Sequence, residues 1–193
     1  MELICFLKEY ITSPKHVGAL SPSSHDLAEL VTEAAETRQA SSVVEFGPGT
    51  GVFTEVIVRK LRRDAKFFAI EISEEFVKLV RKKCPGVNVI HDSATQVRRH
   101  LEAAGLDHCD CIISGIPFAL FEDSLQNQIL DAAHDALKPG GVFVTFTYFY
   151  SPWLPQGRKF HRKLRARFDR IQRTSIVWRN MFPAFAYRTF KDK

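Results

Sequence analysis

No apolar run in this chain approaches the roughly 20 residues that a bilayer-spanning helix needs, so an ordinary transmembrane span is excluded. The apolar stretch between Glu2 and Lys8 is too short and wrongly flanked for a signal peptide, and the chain is expected to begin and stay in the cytoplasm. Cysteine is scarce. Cys5, Cys84, Cys109 and Cys111 form no disulfide-like framework. Cys109-Asp110-Cys111 could be half of a metal site, but no second Cys/His pair has zinc spacing, and the pair opens the apolar run Cys111-Ile112-Ile113. Packed, reduced thiols and no metal are therefore expected. Internal repeats and low-complexity linkers are also missing. With 193 residues the chain suits one α/β domain, and two full domains would be cramped.

Charge, by contrast, is plentiful and segregated. Of 27 Lys/Arg and 22 Asp/Glu, residues 158–193 hold 12 and 2, which leaves the first 157 residues net acidic. A strongly basic final fifth on a mildly acidic core points to an anionic partner, either a phospholipid surface or nucleic acid; a solvated basic face is the plainer alternative.

The first 12 residues read as an amphipathic helix with Leu3, Phe6, Leu7, Tyr10 and Ile11 at helical spacing, stopped by Ser13-Pro14. Ser23 or Ser24 can cap a second helix through about Thr37. From Ser42 strands and helices alternate: 43–46, helix 52–63, 67–70, helix 74–83, 87–91, helix 94–104, 109–114, helix 123–137. Lys138-Pro139-Gly140-Gly141 then turns into a strand over 142–149. Such alternation predicts a parallel sheet covered on both faces. Residues 158–170 read as a basic helix with Phe160, Leu164 and Phe168 on one face, either packed in the core or laid on a membrane. Residues 175–178 and 184–190 read as a final strand pair. The chain thus divides into a helical extension (1–38), a ligand-binding core (39–150) and a basic helix with hairpin (151–193), all within one domain.

The most specific local signal is Val43-Val44-Glu45-Phe46-Gly47-Pro48-Gly49-Thr50-Gly51. A strand ending beside an acid, a glycine loop and a following helix put bare amides and a helix N-terminus against a ligand. The Gly-x-Gly-x-Gly spacing, instead of the dinucleotide Gly-x-Gly-x-x-Gly, resembles motif I of the S-adenosylmethionine-dependent methyltransferases. That resemblance implies an α/β, class I (Rossmann-like) fold with a seven-stranded, mostly parallel sheet, and S-adenosylmethionine as cofactor. It also implies that Glu45 faces the cofactor's methionine end. Glu71, ending the second strand, can accept hydrogen bonds from both ribose hydroxyls, with Ile72 against the adenine. By the same resemblance Asp92 would receive the adenine amino group, with Ser93 and Ala94 beside it; a plain helix cap is the other reading. Ser114-Gly115-Ile116-Pro117-Phe118 ends the fourth strand, where amine-directed enzymes carry an (Asn/Asp/Ser)-x-x-Pro-(aromatic) loop. Ser114, Pro117 and Phe118 are the candidates there for holding the acceptor amine.

The resemblance then narrows. Phe6-Leu7-Lys8-x-Tyr10-x5-His16-Val17-Gly18-Ala19-Leu20-Ser21-Pro22-Ser23-Ser24 and Glu45 through Thr54 are similar to the bacterial phospholipid N-methyltransferases, which methylate phosphatidylethanolamine. Ser114-Gly115-Ile116-Pro117 is similar to that family's Ser-x-x-Pro loop. Arg179-Asn180-Met181-Phe182-Pro183-Ala184 resembles its Arg-Asn-x-Pro-Pro-Ala signature, with Phe182 in place of the first proline. Ornithine-lipid N-methyltransferases and ribosomal RNA adenine dimethylases are related and stay open as alternatives. The resemblance implies a peripheral enzyme at an anionic membrane surface. Tyr10 and His16 are candidates for orienting or deprotonating the amine. Tyr148 and Tyr150 are candidates for enclosing the methylated cation, and Arg179 and Asn180 for holding the headgroup.

Overall fold

A computed structural model describes residues 23–192. The expected N-terminal helix over 1–12, with Tyr10 and His16, lies outside the described residues.

Helix α1 (His25–Ala34) leads into β1 (Ser42–Phe46). There follow α2 (Val52–Lys60), β2 (Lys66–Glu71), α3 (Glu74–Lys83), β3 (Asn88–His91), α4 (Val97–Ala103), β4 (Cys109–Ser114) and α5 (Asp123–Ala136). The chain closes with β5 (Leu137–Tyr148), α6 (Pro155–Arg165), β6 (Arg170–Arg173) and β7 (Ala184–Phe190). One seven-stranded sheet results, in the order β3-β2-β1-β4-β5-β7-β6. The first five strands pair in parallel and β7 runs antiparallel to β5 and β6. This is the mostly parallel sheet that the alternating pattern predicts.

Strand periodicity divides the apolar residues between two layers. Val44, Phe46, Phe68, Ile70, Ile112 and Phe143 face α4, α5 and α6, while Val43, Ile113 and Val144 face α1 and α2. Serine caps start two of the helices: Ser24 accepts from the Leu27 amide at 3.2 Å and Ser73 from the Phe76 amide at 3.4 Å.

Three expectations change. The lysine-proline-glycine segment falls within β5 as a bulge: pairing with β4 steps from Leu137–Cys109 to Val142–Cys111, and residues 138–141 between them have no partner in β4. That irregularity also sends Cys109 and Cys111 into opposite core layers, so the two thiols cannot share a ligand. Burial pushes the Cys111 thiol up to about 12. The basic helix starts at Pro155, which suits the first helical turn, and ends at Arg165. Its Phe160 and Leu164, with Phe168 beyond, are buried against the sheet, so the membrane reading of that apolar face is withdrawn. Finally, β7 pairs with residues 170–173 and not with 175–178. Thr174 closes that ladder by accepting from the Ala186 amide at 2.8 Å, and only Val177 returns, in an isolated bridge to Ala184. The segment between leaves the sheet as a loop.

Candidate active site

The strand order reverses between β1 and β4, and the crevice of an open α/β sheet lies at such a point, beyond the carboxyl ends of the strands. A cavity of about 620 Å³ occupies it. Its walls come from the ends of β1 through β5, from the first turn of α6 and from the 180–182 loop.

One end is built from backbone and carboxylates. Gly47, Pro48, Gly49 and Thr50 line it together with Glu71, Ile72, Asp92, Ser93 and Ala94. Gly49 has φ +54, and a Cβ built on it would meet nothing within 4 Å, so the loop presents open main chain to the cavity. Glu71 bridges the loop and the next helix: Oε2 accepts from the Gly49 amide at 3.1 Å and Oε1 from the Ser73 amide at 2.9 Å. Burial pushes this carboxyl above its ordinary range, while the two amides favour its charged form. Its fixed oxygens suit a ligand with paired hydroxyls, and Ile72 supplies an adjoining apolar surface.

Two acids depart from their expected roles. Glu45 does not line the cavity. It points to the same side of β1 as Val43, under α2, and its Oε2 accepts from the Thr54 hydroxyl at 2.7 Å. The other oxygen, also buried, has no partner among the described residues. Burial raises this carboxyl to about 8, against the Thr54 bond and with help from the Glu71 charge. Asp92 does line the cavity, but its carboxylate is already engaged. Oδ1 accepts from the Ser93 amide at 2.8 Å, and Oδ2 from His100 at 2.8 Å and Arg99 at 2.9 Å. Burial would raise its pKa, and these donors together hold it below the usual carboxylate range. An adenine amino group there would have to share those oxygens.

The other end is built from side chains on loops. Gly115 packs so closely on Gly47 that a Cβ would sit 2.5 Å from the Gly47 carbonyl oxygen, which brings the fourth-strand loop against the glycine loop. Ser114 is fully buried and does not line the cavity; its hydroxyl accepts from the Ile116 amide at 3.3 Å and so shapes the loop from behind. Pro117 and Phe118 do line it. The Phe118 ring is not free to flank a substrate, because it stacks on Phe160 at 4.8 Å. Gln126 on α5 holds the loop's far side, its amide nitrogen donating to the carbonyls of Phe118 and Phe121 at 2.8 Å each. Lys163 donates to the Gln126 carbonyl oxygen at 2.9 Å and completes the clamp. Tyr148 and Tyr150 line the cavity as a stacked pair at 5.7 Å, and Phe182 meets Tyr148 edge-on at 5.7 Å. Asn180 lines it as well and ties the start of α1 in place, accepting from the Ser24 amide at 2.8 Å and donating to the Phe182 carbonyl at 2.9 Å. Arg179 is exposed and lies outside the cavity wall.

Sequence reasoning missed Gln126, the apolar wall formed by Phe121, Leu125 and Ile129, and Phe146 on the other side of the sheet. Gln126 did carry a signal: it interrupts the buried stripe Gln126, Ile129, Leu130, Ala133 with a polar group that needs partners.

The family description "Methyltransferase domain" matches residues 43–141, just over half of the chain. The chain belongs to that family. It is a methyltransferase, and S-adenosylmethionine is the cofactor that its fold and cavity fit: open glycine backbone, a buried carboxylate aimed between loop and helix, and an apolar wall beside it. An ornithine lipid N-methyltransferase from Singulisphaera acidiphila is 27% identical over 191 residues, covering 96% of this chain and 94% of that protein. A ribosomal RNA large subunit methyltransferase E from Pseudomonas fluorescens is 26% identical over 190 residues, with coverage of 86% and 83%. Among solved structures, a SAM-dependent O-methyltransferase from Thermotoga maritima superimposes with a TM-score of 0.69 at 20% identity, covering 97% of this chain and 71% of that one. Among the described residues no helix is long and apolar enough to cross a membrane.

Proposed function

We propose that this methyltransferase transfers methyl groups to the headgroup amine of a membrane lipid, phosphatidylethanolamine or an ornithine lipid. The observation that carries the proposal is the second end of the cavity. Past the glycine loop it becomes an apolar, aromatic chamber opening beside Tyr150 and Leu154, both partly exposed. A soluble polar acceptor gains little from such walls, whereas a lipid amine gains both a dry channel and rings for its cation. Near-full-length similarity to an ornithine lipid N-methyltransferase supports the same reading.

Bound S-adenosylmethionine would supply an electrophilic methyl group. The chain's own part is to present a neutral amine in line with it. A headgroup amine is mostly protonated near neutrality, so its proton must leave to water before its lone pair can act. The Gly115–Pro117 loop, shaped from behind by Ser114 and anchored at Phe118 and Phe121 by Gln126, would offer the Gly115 carbonyl to the amine's remaining hydrogens, the Ile116 and Pro117 carbonyls already accepting from the Phe118 and Leu120 amides at 3.0 Å each. In this reading the stacked Tyr148–Tyr150 pair would face the positive charge that accumulates on nitrogen, an attraction of about 0.5–2 kcal/mol. Burial raises the Tyr148 pKa, with the neighbouring Tyr150 adding to the rise. Alignment supplies much of the acceleration.

The test incubates the protein with methyl-labelled S-adenosylmethionine and, in parallel, vesicles containing phosphatidylethanolamine, vesicles containing ornithine lipid, or ribosomal RNA. Label is expected in one or both lipids. Label in RNA alone would overturn the proposal.

A further inference from the structure

The most exposed large apolar side chains are gathered, not scattered. Trp153 is 69% exposed, Trp178 66% and Met181 68%, and they lie on the two loops that flank the cavity mouth. Phe149 joins those loops, its ring 5.9 Å from Trp153 and 5.8 Å from Trp178. On its inner side Phe149 meets Tyr150 at 5.9 Å, and Tyr150 leads through Tyr148 to Phe182 in the cavity wall. An unbroken aromatic path therefore runs from the chamber to solvent. Core packing does not account for its outer half, since rings this exposed gain little from the core.

Positive charge adjoins the same rim. Arg158, Arg162 and Arg165 recur at i, i+4 and i+7 along α6, directly after Leu154, and are exposed. No ion pair joins them to an acid among the described residues, whereas Lys159 and Lys163 are held by Asp123 and Arg167 by Asp131. Arg179 follows Trp178 on the other loop.

We propose that this rim, residues 150–154 with 178–181, is the surface on which the enzyme sits on an anionic lipid bilayer. Tryptophan rings occupy the headgroup level of a bilayer, where one end of the residue is apolar and the other wet, and neighbouring arginines meet lipid phosphates. A folded partner seated here would cover the edge of the chamber at Tyr150 and Leu154. A bilayer keeps that edge open and feeds it. The inference rests on the lipid-amine reading of the cavity and locates its partner.

Trp153 and Trp178 are the chain's two tryptophans, so its intrinsic fluorescence reports this surface alone. The probe is vesicles of phosphatidylglycerol and brominated phosphatidylcholine, which contain no acceptor amine. The full chain should show blue-shifted, bromine-quenched emission on these vesicles and neither change on purely zwitterionic ones. The Trp153→Ser/Trp178→Ser protein, shown by its unfolding temperature to be folded, should sediment with the anionic vesicles about tenfold more weakly. The Arg158→Gln/Arg162→Gln protein should lose binding while keeping its tryptophan emission in solution. Sedimentation with vesicles but no quenching would show that another surface docks. Emission already blue in free protein and unmoved by vesicles would show that the rings are covered by this chain or by a second copy. Either result overturns the proposal. Transfer to a detergent-dispersed lipid amine separates the two claims: docking without any such transfer defeats the lipid-amine reading alone, and transfer without docking defeats this surface alone.

Discussion

The two ends of the cavity hold their shape by different means. At the glycine-loop end, strand termini and backbone amides set the geometry: Gly49, Ser73 and Glu71 are locked to one another by hydrogen bonds at 2.9–3.1 Å. At the acceptor end, side chains from α5, α6 and two loops do the positioning, and the loops are tied by side-chain hydrogen bonds from Gln126 behind the wall and from Asn180 and the Thr147–Ser151 pair within it. A fold can fix the first end with little dependence on the rest of the sequence. The second end depends on residues far apart in the chain, and there one fold can serve different acceptors.

Gly115 is where the ends touch, and it gives the largest expected effect. Gly115→Ala places a Cβ against the Gly47 carbonyl and must push the two loops apart. Activity should fall about 100-fold, as expected for a displacement near 1 Å at the reacting centre, with cofactor affinity falling too. An unaffected enzyme would mean that the loops do not need this approach.

Glu71→Gln separates the ends. Loss of a charged acceptor costs about 1.5–3 kcal/mol, so the Kd for S-adenosylhomocysteine measured by calorimetry should rise about 10- to 100-fold, with the acceptor KM little changed. Gln126→Ala should do the reverse. Freeing the Phe118 and Phe121 carbonyls should lower kcat about tenfold while the calorimetric Kd stays within about twofold, because the clamp joins the acceptor loop to α6 and bonds to no residue of the glycine-loop end. If both substitutions weakened cofactor and acceptor alike, the two-ended description would fail.

The smallest effect on activity belongs to Glu45, which is buried against Thr54 and does not line the cavity. Its folded pKa of about 8 exceeds the ordinary 4.5. Between those values the native carboxyl keeps a proton that the unfolded one has lost, so its contribution to stability is full below pH 4.5 and is lost as pH rises through 8. Glu45→Gln should therefore raise the thermal midpoint over wild type at pH 8 and leave it unchanged near pH 4.5, in scans of the ligand-free protein. A constant difference at all pH values would show that Glu45 is ionised in the native state.

Legibility in the sequence follows the same division. The β1–β4 half was readable because short-range rules govern it: alternating apolar patterns, a glycine loop, and acids at strand ends. Even so, the pattern alone could not tell that period-two alternation turns Glu45 away from the cavity, or that His100 and Arg99 occupy Asp92. The β5–β7 half was read less well. The apolar face of α6 suited a membrane and a core equally, and only tertiary contact decides that Phe160 and Leu164 are core. The place of β6 is not legible because the 174–183 loop carries the same β-branched and aromatic residues that a strand would. Trp153 and Trp178 gave no sign of their neighbourhood, since Phe149 brings them together only in the folded chain.

The central claim is that the aromatic chamber receives a lipid nitrogen. Tandem mass spectrometry of lipids recovered after incubation with methyl-labelled S-adenosylmethionine tests it most directly, by assigning the labelled methyl to an atom. Label is expected on the headgroup amine nitrogen. Label on a headgroup oxygen, or in added RNA with none in lipid, would contradict it.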